Sequence, residues 1–543
     1  MFIFESIKKH LKILIVIAIF FILQLQNADY GHRINDYSYL SANNLSKENF
    51  VNQSSRNSIV EKNFQSEDIE KWLLRFNLYS INADEMLNIM ALSRISPSEF
   101  KFDPHYYSYG GGYLYPLGTW YFILDKIGLI DISNMDELLK SPQVMDSVYR
   151  FGRAFVLFFY VLSVLVFYKI FRLYISENLA IYASMLLLLM PASIMFSIVI
   201  KPYAFSLFWI SLSLYVILRA SRYGTFSNIE KNILALFLGV SVGSVVTNIL
   251  FVAICWLYIL LIFNNFKEKK SYLIKLPFIV LIYFLVLNPY VILNFDSFST
   301  EFFGQTEWFK NDPKINFDLV YLISDFLNQG KIFFLNSLVP GFGASLLILY
   351  SFTIFSSGSY TFRTVSFHLL FFLLIFSFGF LLKNINEWHI NSRYVMYLPP
   401  IILVFCIFYL RKLRYFANIL KILVGISFLQ SAPMIVAYHD EDDVSYSTRM
   451  LAADWLNKKN VMVCPNNSIS PYDFPPINLK KLATLDKIRC KYLVGVIRRP
   501  DNTHIAPVGY TLEKEFVSRF NIKQIPLVYS HVNPTILIFR RDE

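Results

Sequence analysis

The sequence predicts an all-α polytopic membrane protein of about eleven transmembrane helices, followed by a small extracytoplasmic α/β domain. Three observations predict it. Hydrophobic residues fill 55% of the 543 positions and charged residues 16%, with mean hydropathy +0.44, so one water-soluble globule of this size would lack polar surface. Apolar stretches of about 20 residues, the length that crosses a bilayer, succeed one another from residue 151 to residue 437. Lysine and arginine collect in alternate loops between them, as the positive-inside rule requires.

Residues 1–28 form the first anchor. Lys8, Lys9 and Lys12 precede ILIVIAIFFILQL, and no small-x-small cleavage pattern follows. This places the N-terminus in the cytoplasm and residues 29–150 outside. The outer segment begins with an Asn- and Ser-rich stretch to about residue 66. IEKWLLRF (69–76) and LGTWYFILDKIGLI (117–130) suit helices lying at the interface better than spans.

The bundle occupies 151–437, with spans at 151–174, 179–199, 203–219, 232–247, 248–264, 272–292, 338–356, 364–382, 394–410 and 416–437, and a large outer loop at 293–337. Reading 232–264 as one span would carry Arg411, Lys412 and Arg414 outside, so charge favours two spans meeting at Thr247–Asn248. Residues 438–543 return to soluble composition: TRMLAADWLNKK reads as a helix, and VMVC, KYLVGVI, QIPLVYS and TILIF as strands. Cys464 and Cys490 can pair there if the domain is outside, whereas Cys255 and Cys406 read as packing residues. Neither cysteines nor histidines show metal-ligand spacing. The surplus of 50 basic over 39 acidic residues belongs to the cytoplasmic loops, and no nucleic-acid partner is expected.

The candidate chemistry lies on the outer face. Asp84–Glu85 offers a carboxylate base for an acceptor hydroxyl, although two acids opening MLNIMALSRI also suit a helix N-terminus. Lys201, Arg153 and Arg393 stand at the outer ends of spans, where a cation meets either a substrate phosphate or the lipid headgroups. Tyr109, Tyr113 and Tyr115, with His105, Tyr106 and Tyr107 beside them, can stack on sugar faces or form an interfacial aromatic belt. Gly110–Gly112 allow a backbone turn close to a substrate or a flexible turn.

These pieces occur in a telling order: NADEMLNIMAL (82–92), FDPHYYSYGGGYLYPLG (102–118), RAFVLFFYVLSVLVFYKIFRLY (153–174), MPASIMFSIVIKPYAFSLFWISLSLYVILR (190–219), LNPYVI (287–292), SRYVMYLPPIILVF (392–405) and TRMLAADWLNKK (448–459). The order resembles the GT-C superfamily of membrane glycosyltransferases. Within it, the chain is most similar to the dolichyl-phosphate-mannose protein mannosyltransferases and the bacterial aminoarabinose transferases. The resemblance implies inverting transfer of a hexosyl or pentosyl group from a polyprenyl-phosphate sugar to a protein, lipid or glycan acceptor. In it Asp84 is the base and Glu85 its neighbour, and Arg393 beside Tyr394 resembles the RY that opens a late span; a lipid-phosphate donor needs such cations, with Lys201 and Arg153 the other candidates, to stabilise the departing phosphate. It implies no firm cofactor and leaves a divalent cation open. The chain departs from the family in about 50 extra residues before Asp84 and in GGGYLYP where relatives carry a proline-rich element. A bacterial inner membrane fits better than the endoplasmic reticulum. The rival classes are a transporter or flippase for lipid-linked sugars, and a membrane scaffold; a transporter predicts internal repeats and mid-bilayer charges, and the sequence shows neither.

Overall fold

The computed structural model describes residues 2–29, 80–132, 142–223, 227–262, 266–301, 339–356 and 396–459, and in the terminal domain 461–466, 474–478, 490–497, 506–519 and 532–542, with a few isolated positions between. The interfacial piece at 69–76, the span at 364–382, most of the loop 293–337, the strand QIPLVYS and Arg393 lie outside them.

The helices, in order, are α1 (Phe2–Asn27), α2 (Ala83–Ser93), α3 (Gly111–Lys126), α4 (Pro142–Arg172), α5 (Glu177–Leu188), α6 (Pro191–Phe196), α7 (Pro202–Tyr223), α8 (Asn228–Ser244), α9 (Ile249–Ile262), α10 (Phe266–Leu287), the single turn α11 (Tyr290–Leu293), α12 (Val339–Ser356), α13 (Leu398–Leu410) and α14 (Phe416–Asp442). Against the expectation of about eleven spans, three described stretches are long and apolar enough to cross a membrane: Val144–Arg172, Pro202–Arg222 and Phe416–Glu441. Shorter apolar helices occur within α1, α5, α10, α12 and α13. Large apolar side chains stay exposed along the bundle, including Ile15, Ile19 and Ile22 on α1, Phe278, Leu281 and Val286 on α10, and Ile422, Phe428 and Leu429 on α14. Such faces are stable in lipid rather than in water, which makes this a membrane protein.

Packing follows a simple chain of neighbours: α4 against α7, α7 against α8, and α8 against α10. On the other side α14 packs on α5 and α12, α12 on α13, and α1 on α4. A 3-10 turn at Val246–Asn248 separates α8 from α9. The buried Asn248 amide secures this break, donating to the Ser206 hydroxyl on α7 and to the Ser241 carbonyl (3.2 Å) and hydroxyl (3.0 Å) on α8.

Several segments differ from the sequence reading. The stretch expected as one span at 179–199 is two helices, because Pro191 has no N–H to continue α5 and Met190 is extended. The carbonyls freed by the break find side-chain donors: Leu187 accepts from Tyr160 at 2.9 Å and Leu189 from Ser431. Helix α4 begins at Pro142, so Arg153 lies inside the helix rather than at its mouth. Gly111 and Gly112 open a helix rather than a loop. A Cβ on Gly110 would lie 1.8 Å from the Gly243 carbonyl oxygen and one on Gly111 2.2 Å from the Leu287 carbonyl oxygen, so these glycines serve close backbone contact with the ends of α8 and α10.

In the terminal domain, α15 (Thr448–Lys458) packs on a four-stranded sheet of β1 (Val463–Pro465), β2 (Tyr492–Ile497), β3 (Tyr510–Phe516) and β4 (Thr535–Arg541), in the order β1-β2-β4-β3. β1 and β2 are parallel, and the other pairs antiparallel. Ala452, Leu456, Val463, Val494, Ile536 and Ile538 fill the layer between helix and sheet. Cys464 and Cys490 are disulfide-bonded, with Cα atoms 5.8 Å apart. Two buried acids at the end of α14 tether the domain: Glu441 accepts from Arg449 (2.7 Å) and the Asn533 N–H, and Asp440 from Arg519 (3.0 Å).

Candidate functional site

Asp84 and Glu85 occupy the first turn of α2, where carboxylates complement the helix dipole. The Glu85 side chain is fully buried and paired with the equally buried Arg153 of α4. Arg153 donates from Nε to Glu85 Oε1 (3.0 Å) and from Nη2 to Oε2 (2.7 Å), and from Nη1 to the Ala28 carbonyl beyond α1 (2.6 Å). Ser80 donates to Oε2 at 2.6 Å, and the Ile200 N–H to Oε1 at 3.0 Å. A buried carboxylate needs this many donors, since an isolated one would lose its charge.

One turn further along α2, Asn88 donates to the Ile200 carbonyl at 2.8 Å. The backbone of Ile200 is therefore held on both sides of its Cα, at the N–H and at the C=O, by one helix. The chain neighbours of the two bonded residues are both sequence candidates: Asp84 precedes Glu85, and Lys201 follows Ile200. Lys201 is 8% exposed and directly precedes Pro202, the first residue of α7. The side chain of Asp84 and all of Arg393 lie outside the described residues.

The aromatic residues separate into two groups. Tyr109 and Tyr115 line a shallow cleft together with Tyr106, Tyr107, Asn288 and Phe298. Tyr109 meets Tyr106 and Tyr203 edge-on at centroid distances of 5.7 and 6.2 Å, and Tyr203 meets Tyr397 at 6.3 Å. A line of rings thus runs from the cleft past the start of α7 to α13. Tyr113 belongs elsewhere: it is fully buried against Phe155 and Phe205 and does not line the cleft. His105 is exposed, with a left-handed backbone (φ 45°), 3.7 Å from Asp103.

The cleft wall is latched to the segment after α11, a partnership that no local sequence pattern announces. The Tyr107 and Ser108 N–H groups and the Ser108 hydroxyl donate to Glu301 at 2.6–2.9 Å. Asn294 donates to Asp103 (2.9 Å) and to the Tyr107 hydroxyl (3.0 Å), which itself donates to Asp103 (3.0 Å). Arg94 donates to the His105 carbonyl at 2.8 Å. Burial holds the Arg94 guanidinium below its ordinary pKa, against the pull of Glu301 and Asp103. Burial and then Asp103 push the Tyr107 phenol up, so it remains a donor. At the cleft floor Asn288 accepts from the Gly111 N–H (2.8 Å) and donates to the Gly243 carbonyl (3.2 Å). Among the described residues, no three metal-ligating side chains converge.

No family model matches the chain, and no curated protein matches it. Among solved structures it is similar to the oligosaccharyltransferase of Archaeoglobus fulgidus, crystallised with zinc and sulfate. The likeness is 14% identical, covers 72% of this chain and has a TM-score of 0.36. The chain spans 59% of that protein's length. A likeness this loose assigns neither a fold nor an activity.

Proposed function

We propose that the chain is an integral-membrane glycosyltransferase of the GT-C type, moving a sugar from a polyprenyl-phosphate donor to an acceptor hydroxyl on the extracytoplasmic face. The observation that carries this reading is the grip of α2 on Ile200. Glu85 and Asn88 hold the backbone of Ile200 on both sides of its Cα, which supports pairing the turn that carries Asp84 with the lysine that precedes a 22-residue helix. In this reading Asp84 removes the acceptor proton as the oxygen attacks the anomeric carbon, inverting it. The carbon–oxygen bond to the phosphate breaks, and the departing phosphate is met by Lys201 and by the positive end of the α7 dipole. Arg393 is the second cation of this reading. Arg153, expected at the phosphate, acts here through Glu85 and holds the acid-bearing turn in place. Tyr109 and Tyr115 supply stacking surfaces in the cleft, with Tyr107 at its wall. The cytoplasmic N-terminus, the outer terminal domain and a bacterial inner membrane belong to the same reading.

The test is sugar transfer in proteoliposomes given a set of polyprenyl-phosphate sugars. Wild type should transfer, and Asp84→Asn should lose at least about a hundredfold in turnover, the scale of removing a general base. Equal turnover by Asp84→Asn removes Asp84 from the chemistry. Translocation of the lipid-linked sugar without transfer refutes the enzyme reading.

A further inference from the structure

At the end of the bundle away from Glu85, the C-termini of α4, α7 and α13 come together around Tyr174. Arg222 on α7 donates to the Leu173 carbonyl, just past the end of α4. Arg411, just past α13, lies over the Tyr174 ring at 5.6 Å and the Phe408 ring at 4.9 Å, while those two rings meet edge-on at 5.6 Å. Both guanidiniums act electrostatically on the Tyr174 phenol. The turn from Arg411 to Tyr415 is exposed throughout, and its Arg414 lies over Tyr415 at 5.6 Å.

Two carboxylates at this end are already engaged. Glu177 pairs with Arg172 at 3.4 Å, and Glu230 closes a capping box with Ser227. No carboxylate among the described residues forms an ion pair with Arg222, Arg411 or Arg414. Helix C-termini do attract cations, and Arg222 serves that role for α4 through Leu173. Arg411 and Arg414 are exposed and lie over aromatic rings rather than on helix carbonyls. Exposed apolar side chains adjoin them: Phe408 is 44% exposed and Leu413 38%, and Ile422 on α14 is 64% exposed.

We propose that Arg222 and Arg411, which act together on Tyr174, and Arg414 on the exposed turn that follows Arg411, form a binding site for the headgroup phosphate of an anionic glycerophospholipid. A phospholipid brings both things this surface presents a place for. Its phosphate meets the guanidiniums, which suit planar, bidentate recognition, and its acyl chains continue along the exposed apolar side chains. A soluble phosphate matches only the first. The site is about 28 Å along α4 from Arg153, at about 1.5 Å per residue, and does not depend on the transferase reading.

The experiment places the purified full chain in neutral-detergent micelles carrying equal phosphatidylglycerol and phosphatidylcholine, and reads retained lipid by native mass spectrometry. Wild type should retain phosphatidylglycerol preferentially, and millimolar inorganic phosphate should neither displace it nor raise the melting temperature as the lipid does. Each cation near a membrane surface contributes about fivefold to anionic-lipid affinity. Arg222→Gln with Arg411→Gln should therefore cut the preference at least about tenfold. Arg414→Gln, at an exposed position on the turn after α13, should cut it about fivefold and decides the matter should the double variant fail to fold. Equal retention of the two lipids by wild type, a preference unchanged in Arg414→Gln, or full stabilisation by inorganic phosphate alone overturns the proposal.

Discussion

The two ends of the bundle hold the same kind of side chain in opposite states. Arg153 is fully buried, with Glu85 and the Ala28 carbonyl taking its donors. Arg411 is exposed and lies over two aromatic rings. A guanidinium locked in a buried pair cannot leave without stranding a carboxylate, so it can set geometry but cannot take up a ligand. One lying on rings at the surface keeps its donors available. Helix direction adds to the contrast. The N-termini of α2, α7 and α13 point to the Glu85 end, and the C-termini of α4, α7 and α13 to the Arg411 end. The first end favours anions through its backbone and needs few cations. The second needs cations of its own.

The largest effect that separates the ends comes from Arg153→Met. Leaving Glu85 buried without its partner should cost about 3–5 kcal/mol, read as a lower melting temperature, and adding Glu85→Gln should recover much of it. Arg411→Gln should change stability by no more than about 0.5 kcal/mol, as at other exposed sites. Similar losses for the two arginines would break the comparison. A smaller effect belongs to Asn88→Ala, which leaves the Ile200 carbonyl without its side-chain donor. It should cost about 1–3 kcal/mol and lower turnover more than substrate affinity, because it loosens a positioning contact rather than a binding one.

Much of this arrangement was legible in the sequence, and the rest failed for identifiable reasons. Apolar runs located most of the helices, and charge alternation favoured dividing 232–264, where the 3-10 turn at Val246–Asn248 lies. The helix after Asp84 followed from its acids and apolar spacing. The break at Met190–Pro191 carried a local signal in its proline, outweighed by the length of the apolar run. Three features had no local signal at all. Asn88 and Ile200 are 112 positions apart. Gly110–Gly112 look like a loop until Gly243 is placed against them. Arg153 reads as a mouth residue until α4 is found to start at Pro142. Strand β3, TLEKEF, was missed because it is an edge strand with a mostly exposed, charged surface, which hides the usual alternation.

The most direct test of the central claim reads turnover and melting temperature together for Asp84→Asn and Glu85→Gln. Two adjacent carboxylates are assigned different work, one chemical and one structural. Asp84→Asn should keep the wild-type melting temperature while losing at least about a hundredfold in sugar transfer, and Glu85→Gln should melt clearly lower. A destabilised Asp84→Asn with proportionate activity, beside a Glu85→Gln that is stable but inactive, would contradict that assignment.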